Sequence, residues 1–373
     1  MSGKQYRTRQ ECLARLTENT RHIAPNQKIA IGDFQPEDAE GVARLYYAIY
    51  GDKFPLDYVY DPERILEANQ GPDLYQVVGR TASGDVVGLS ALFKAPPNES
   101  LMESGSLMVL PEYRAGRLAY ELIRMTMNEL PPRLGLQGVY GQSVCDHLIT
   151  QKFGDRFGSR GFALEMESIP ARPGVEGGAN GRISLLNEFK ILQDTPQTLY
   201  LPQVYDVFLR GVYALNGLKR DFAAQGTPTG ETRWDASEYA EASIAKMAVH
   251  EVGMDFSSVL GRFEAEHPGR YAYQLLLPLT NPGLPAAVEA ARGRGYFMGG
   301  LLPLWTGQDV LLMQKIAAAP DFSAPQLYSD GAKAILEFIR QDYATIPRAG
   351  TDKVQGPAKS SSTPPEEPGK RSQ

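Results

Sequence analysis

Near the end of the first third of the chain, hydrophobic residues change their spacing from that of a strand to that of a helix. Residues 106–110 (SLMVL) form a mostly apolar run of strand length, which stops at Pro111. From Leu118 onwards apolar residues recur every three or four positions, and we expect this helix to end at Pro131 and Pro132. The pattern predicts a strand, a sharp turn and a helix in immediate succession.

Apolar runs on both sides of this segment predict a larger sheet. The turn residues 83–85 (SGD) separate two of the runs, as expected for a hairpin. Together these runs indicate an α/β (α+β) fold, with a mixed, twisted sheet and helices on both faces. Strands are predicted at 28–33, 74–80, 86–93, 138–144, 162–166 and 183–192, and helices at 36–49 and 146–159.

The second half repeats part of this order, which suggests two tandem copies of the fold. Residues 160–162 (RGF) and 294–296 (RGY) occupy equivalent places between a helix and a strand. Strands are predicted at 244–252, 271–279, 296–305 and 309–316, and helices at 201–218, 256–266, 286–294 and 325–343.

These patterns divide the chain into four parts. We expect an N-terminal helical extension at 1–27, a first domain at 28–192, a degenerate second domain at 193–346 and a disordered tail at 347–373.

Composition excludes several classes of protein. The formal net charge of -6 gives no electrostatic basis for binding nucleic acid or an anionic membrane. The two cysteines, Cys12 and Cys145, are far apart and lack metal-ligand spacing, which fits a reducing compartment. No apolar run is long enough for a membrane span or placed like a signal peptide, so we expect a cytoplasmic protein.

The predicted turn combines a helix start with basic side chains. The first backbone N–H groups of a helix have no intrahelical acceptor and carry the positive end of its dipole. Arg114 and Arg117 add charge there, and Gly116 adds backbone freedom. The turn therefore predicts an anion site suited to phosphates.

This turn resembles the acyl-CoA pyrophosphate loop of the GNAT superfamily of N-acyltransferases, whose pattern is Arg or Gln, two residues, Gly, one residue, then Gly or Ala. Arg114 and Ala119 match its ends, but Arg117 stands where the middle Gly is expected. The resemblance implies acetyl-CoA or a longer acyl-CoA as co-substrate. It assigns these residues to CoA binding: Met108, Val109, Leu110, Arg114, Ala115, Gly116, Arg117, Leu118, Ala119 and Asp146.

Acyl transfer to an amine requires a polarised thioester carbonyl and a proton acceptor. Backbone N–H groups around residues 108–110 are candidates for the first task. Glu103 is the candidate base, on the alternating face that also carries Gly105, Leu107 and Val109. The resemblance favours this role, because family members often place a Glu there. The alternative is a solvated carboxylate at a strand end.

The proton donor departs from the family pattern. The resemblance places a Tyr four residues before the Gly of the Gly-Phe pair, where this chain has Phe157. His147, Cys145 and Tyr140 are the nearest candidates to replace it. His147 could equally cap the following helix.

An aromatic segment follows the first helix of the predicted fold. It is either a wall of the acceptor pocket, as the resemblance favours, or a small core beneath a long loop. Its members are Tyr47, Tyr50, Phe54, Tyr58 and Tyr60.

Together these features predict an N-acyltransferase that moves an acyl group, with acetyl expected, from acyl-CoA to a small-molecule or peptide amine. The alternative is a catalytically retired relative that binds a ligand as a sensor. No metal site is expected, because His250 and Glu251 lack a second spaced His. A homodimer is compatible with the sequence.

Overall fold

The computed structural model describes residues 6–19, 21–171, 177–224 and 226–347. Most of the tail predicted at 347–373 lies outside the described residues, so its predicted disorder stays a prediction.

Among the described residues, the first half carries seven strands, which lie where the hydrophobic pattern predicts strands. They are β1 (Ile29–Asp33), β2 (Leu74–Thr81), β3 (Val86–Phe93), β4 (Leu101–Val109), β5 (Gly138–Val144), β6 (Arg160–Pro170) and β7 (Arg182–Ile191). Its helices are α1 (Arg9–Glu18), α2 (Ala39–Tyr50), α3 (Pro62–Ala68), α4 (Leu118–Arg124), α5 (Leu130–Arg133) and α6 (Ile149–Arg156).

The second half adds strands that the pattern predicts and three that it does not, β8 to β10. The strands are β8 (Gln197–Leu199), β9 (Arg220–Phe222), β10 (Arg233–Tyr239), β11 (Ile244–Glu251), β12 (Ala272–Pro278), β13 (Phe297–Leu302) and β14 (Val310–Ile316). The helices are α7 (Asp206–Leu215), α8 (Phe256–Glu266), α9 (Leu284–Gly293) and α10 (Asp330–Ala344).

One mixed sheet of 12 strands runs through both halves, in the order β1-β2-β3-β4-β5-β7-β6-β13-β14-β12-β11-β10. Within it β4 and β5 are parallel, as are β11 and β12, and the other neighbouring pairs are antiparallel. The predicted mixed sheet is confirmed, whereas the presence of two tandem copies stays a prediction.

The halves join where β6 meets β13 at a single residue pair, Ala163 with Gly300. A Cβ atom on Gly300 would lie 2.4 Å from the Cα of Ala163, and Gly300 has a φ of 133°. Only glycine combines this backbone conformation with so close an approach of two strands.

Helices cover both faces of the first half of the sheet. Neighbouring residues of β2 point to opposite sides, so Val78 packs with α2 residues and Val77 packs with α4 residues. Each face therefore buries its own apolar cluster against a helix.

The helix that begins at Leu118 does not end at the two prolines, so that prediction was wrong. It continues through a π-helical turn, Met125–Glu129, into α5, where Pro131 and Pro132 occupy the first turn. Proline is tolerated at the start of a helical segment, because N–H groups there need no intrahelical acceptor.

Candidate active site

Strands β4 and β5 separate along their length and leave an opening in the sheet. They pair at only three positions, the last of which joins Glu103 to Tyr140. Beyond this pair β4 continues along β3, while β5 continues along β7. The opening therefore starts at Glu103 and widens towards the turn that precedes α4.

A β-bulge at Ser106 changes which side chains share a face of β4. Ser106 has a φ of 53°, and the register with β3 shifts at this point. As a result Met102 and Val109 pack in the same cluster on the α4 side, although strict alternation would separate them. The prediction that Val109 shares the face of Glu103 was wrong, because a sequence pattern does not show a bulge.

Some of the backbone N–H groups that are candidates to polarise the thioester carbonyl already have hydrogen-bond partners. The N–H of Leu110 donates to the carbonyl of Val87 at 3.0 Å, so it is not free to polarise a substrate carbonyl. The Arg114 Nε donates to the carbonyl of Val109, also at 3.0 Å. By the alternation of an antiparallel ladder, the N–H of Met108, which pairs with Leu89, also points towards β3, so the N–H of Val109 remains the candidate.

The predicted anion turn lies at the wide end of the opening. Pro111–Tyr113 form a 3₁₀ turn, and the Tyr113 hydroxyl donates to the carbonyl of Ala24 at 2.6 Å, which anchors the turn. The following four residues, 114–117, are exposed. Two guanidinium groups and the start of α4 therefore meet at the surface, an arrangement that can bind a phosphate.

Glu103 sits at the narrow end of the opening with a perturbed pKa. Burial raises the pKa of its carboxyl to about 7, and the negative charge of Glu165 adds to this effect. A carboxylate with this pKa can accept a proton near neutral pH.

A chain of polar side chains extends from Tyr140, beside Glu103, across the sheet. The Tyr140 hydroxyl donates to Asn187 Oδ1 at 2.5 Å, and Asn187 Nδ2 donates to Glu165 Oε1 at 3.2 Å. Glu165 Oε1 also accepts from Gln142 Nε2 at 3.2 Å, and its Oε2 accepts from Ser168 Oγ at 3.0 Å. The buried carboxylate is thus well supplied with donors.

Sequence reasoning missed Glu165 and Asn187. Each interrupts a mostly apolar run, and polar residues in buried strands require partners. That interruption was the available signal, but the partners lie on other strands and became visible only with the sheet order.

Tyr140 is poorly suited to donate a proton to a leaving group. Burial raises the pKa of its phenol well above the ordinary value, and its hydroxyl already donates to Asn187. Its ring packs against Phe189 and Trp305, both at centroid distances of 5.0 Å. Because Trp305 belongs to the second half, both halves enclose this side chain.

The other proton-donor candidates lie at the start of α6. His147 Nδ1 accepts from the N–H of Ile149 at 3.3 Å, so its ring interacts with the helix start. Asp146, assigned to CoA binding, lies 3.8 Å from His147 Nε2. Burial raises the pKa of the Cys145 thiol to about 12, which keeps it protonated at neutral pH.

Phe157, in place of the expected tyrosine, is buried between the helices that flank the opening. Its ring lies 5.2 Å from that of Tyr120 on α4, and the Arg156 guanidinium stacks on Tyr120 at 4.8 Å. The structure therefore bridges α4 and α6 with aromatic contacts at this position.

The aromatic segment divides into residues near β4 and residues in the core. Tyr46 of α2 is buried in the apolar cluster that also contains Met108 of β4. Its ring contacts Tyr50 and Phe54, at centroid distances of 6.4 and 4.9 Å. Tyr60 is fully buried and its hydroxyl accepts from the N–H of Phe54, so it packs within the protein rather than lining a surface.

An open cavity of about 520 Å³ lies beside this segment. Tyr47 and Leu110 line it together with Arg44, Glu40 and Glu112. The Tyr47 hydroxyl also hydrogen-bonds to Thr17 on α1 at 2.8 Å. The cavity thus connects one predicted acceptor residue with one predicted CoA residue.

Within the described ranges, no group of three or more His, Cys, Asp or Glu side chains is arranged to hold a metal ion. None of the helices described there is long and apolar enough to cross a membrane.

No family model matches the sequence, and no curated protein matches it. Solved structures do resemble part of the fold. An acetyltransferase of the GNAT family from Streptococcus pneumoniae has 10% identity and a TM-score of 0.37, over 44% of this chain and 100% of its own. A spermidine/spermine N-acetyltransferase from Vibrio cholerae has 14% identity and a TM-score of 0.34, over 44% and 92%. At these values the similarities establish neither a shared family nor a shared activity.

Proposed function

We propose that this protein transfers an acyl group, with acetyl expected, from acyl-CoA to an amine. The observation that carries the proposal is the opening between β4 and β5, which runs from an exposed basic turn to Glu103. A phosphate-bearing thioester would lie along it, with the diphosphate at the turn and the thioester near the carboxylate.

The reaction uses few groups of the protein. The amine nitrogen attacks the thioester carbonyl carbon, and the backbone N–H of Val109 on β4 stabilises the developing oxyanion. Glu103 accepts the amine proton, directly or through water, since its pKa of about 7 matches the task. The C–S bond then breaks, and the thiolate takes a proton from solvent or from a group near α6. The acceptor, a small-molecule or peptide amine, enters beside Tyr46 and Tyr50.

We also propose that the second half is a degenerate copy of the first. The order β10-β11-β12-β14-β13 corresponds to β3-β4-β5-β7-β6, with a parallel pair at the equivalent place. The connection from β11 to α8, residues 252–255, lacks arginine, whereas residues 110–117 carry two. Only the first copy would then bind CoA.

A thiol-release assay tests the proposed activity. Wild type should release CoA from acetyl-CoA or a longer acyl-CoA with at least one member of a panel of amines and peptide N-termini. Exposed Glu99, just before β4, provides the control: E99Q should keep this activity. Tight CoA binding in calorimetry without turnover on any amine would instead favour the alternative, a catalytically retired protein that binds a ligand as a sensor.

A further inference from the structure

One hydrogen bond to the buried Glu165 comes from the second half of the chain. Gln274 on β12 donates through Nε2 to Glu165 Oε2 at 2.7 Å. Its side chain is buried, and the donors from Gln142 and Asn187 in the first half are more distant, each at 3.2 Å. Gln274 therefore makes a close contact with a carboxylate that is linked by hydrogen bonds, through Asn187, to Tyr140, the strand partner of the candidate base.

The remaining amide atom of Gln274 suggests why a glutamine stands there. Its Oε1 is buried and has no hydrogen-bond partner within the described part of the chain. A buried polar atom without a partner costs stability, typically about 1–3 kcal/mol. An apolar residue would avoid that cost, so packing alone does not account for glutamine at this position.

We propose that Gln274 is a positioning residue, which holds the carboxylate of Glu165 at the end of the hydrogen-bond chain that leads through Asn187 to Tyr140, the strand partner of Glu103, and so makes the second half part of the catalytic arrangement. This inference rests on the proposed acyltransferase function. The titratable groups of the cluster are Glu103, Glu165 and Tyr140, and the phenol of Tyr239 on β10 contributes to the raised pKa of Tyr140.

Gln314 provides a matched control on the neighbouring strand. It pairs in register with Gln274 and is equally buried. Its Nε2 donates to the carbonyl of Leu164 and its Oε1 accepts from the N–H of Met166, both at 2.9 Å. Q314L therefore removes a buried amide that bonds to the backbone of β6 without removing a bond to Glu165.

The titration of Glu103 tests the proposal without requiring activity. In full-length protein labelled with ¹³C at glutamate side-chain carboxyls, the Glu103 resonance is identified by its loss in E103Q. Wild type should titrate near pH 7. In E165Q the midpoint should fall, because the repelling charge is removed. In Q274L it should fall in the same direction by a smaller amount, about half a pH unit or more.

Q314L should leave the midpoint of Glu103 unchanged even where it lowers Tm. An unchanged midpoint in Q274L would overturn the proposal, whatever E165Q does, and equal shifts in Q274L and Q314L would reduce Gln274 to a structural role. The pH profile of kcat/KM tests the proposed acyltransferase function separately from the positioning role of Gln274. Its acidic limb should follow the titration midpoint of Glu103 in each variant. Absence of turnover in wild type would contradict the proposed function but would leave the titration result valid.

Discussion

Two carboxyls, those of partly buried Glu103 and buried Glu188, lie on strands near the middle of the sheet, and desolvation raises the pKa of each to about 7. Glu103 lies at the opening between β4 and β5. Glu188 instead lies under α6, with Gly154 against it and Ser143 donating to it. The same physical cause therefore gives a candidate base at one position and a cost to stability at the other.

Replacement of Glu188 by glutamine should make stability less dependent on pH. In wild type the folded state keeps a proton on Glu188 up to about pH 7, whereas the unfolded chain releases it near pH 4.5. The contribution of Glu188 to the free energy of unfolding therefore falls as pH rises through this window. In urea titrations E188Q should gain stability relative to wild type at about pH 8, by up to about 3 kcal/mol, and little at about pH 4.5. An equal effect at both pH values would contradict the assigned titration.

At the scale of elements, the turn between β4 and α4 should decide CoA affinity. Combined replacement R114E and G116P reverses one charge and constrains the backbone of residues 114–117. We expect this variant to lose CoA binding in calorimetry while it keeps the far-ultraviolet circular dichroism of wild type. The control R262E changes an exposed arginine on α8 and should bind CoA normally. Unchanged CoA affinity in the folded double variant would place the site elsewhere.

Helices and strands are predicted well where their buried residues form a regular hydrophobic pattern in the sequence. β3 and β5 have the predicted bounds because their apolar runs end at turn residues. β10 was missed because nearly all of its residues are exposed, so it carries no apolar alternation, and β8 and β9 are only three residues long. The predicted end of the helix at Pro131 was wrong, because a π-helical turn allows proline to lie in the first turn of a new helical segment.

Residues of the candidate site were likewise predictable only where the sequence itself carries the signal. The basic turn and Glu103 were predictable because they belong to one continuous segment. Glu165 and Gln274 were not predicted to meet, because their contact depends on the order of strands far apart in sequence. The bulge at Ser106 was not visible either, since a positive φ at serine leaves no mark in the hydrophobic pattern.

At the scale of the molecule, the joint between β6 and β13 should be highly sensitive to a single added methyl group. In G300A the new Cβ would overlap Ala163, and φ would be strained. We expect a loss of at least about 1–3 kcal/mol in chemical denaturation. The control G211A, on α7, places its Cβ in open space and should be neutral or slightly stabilising. Equal stability of G300A and wild type would show that the two strands do not approach as closely as described.

We propose Glu103 as the group that accepts the proton of an amine attacking acyl-CoA at the opening of the sheet. The most direct measurement is the turnover of E103Q against that of wild type, across the pH range around 7, with CoA affinity measured in parallel. We expect a fall in kcat of about 10²–10⁴-fold, loss of the acidic limb near pH 7, and unchanged CoA binding. Full activity of E103Q, with the same pH profile as wild type, would contradict this proposal.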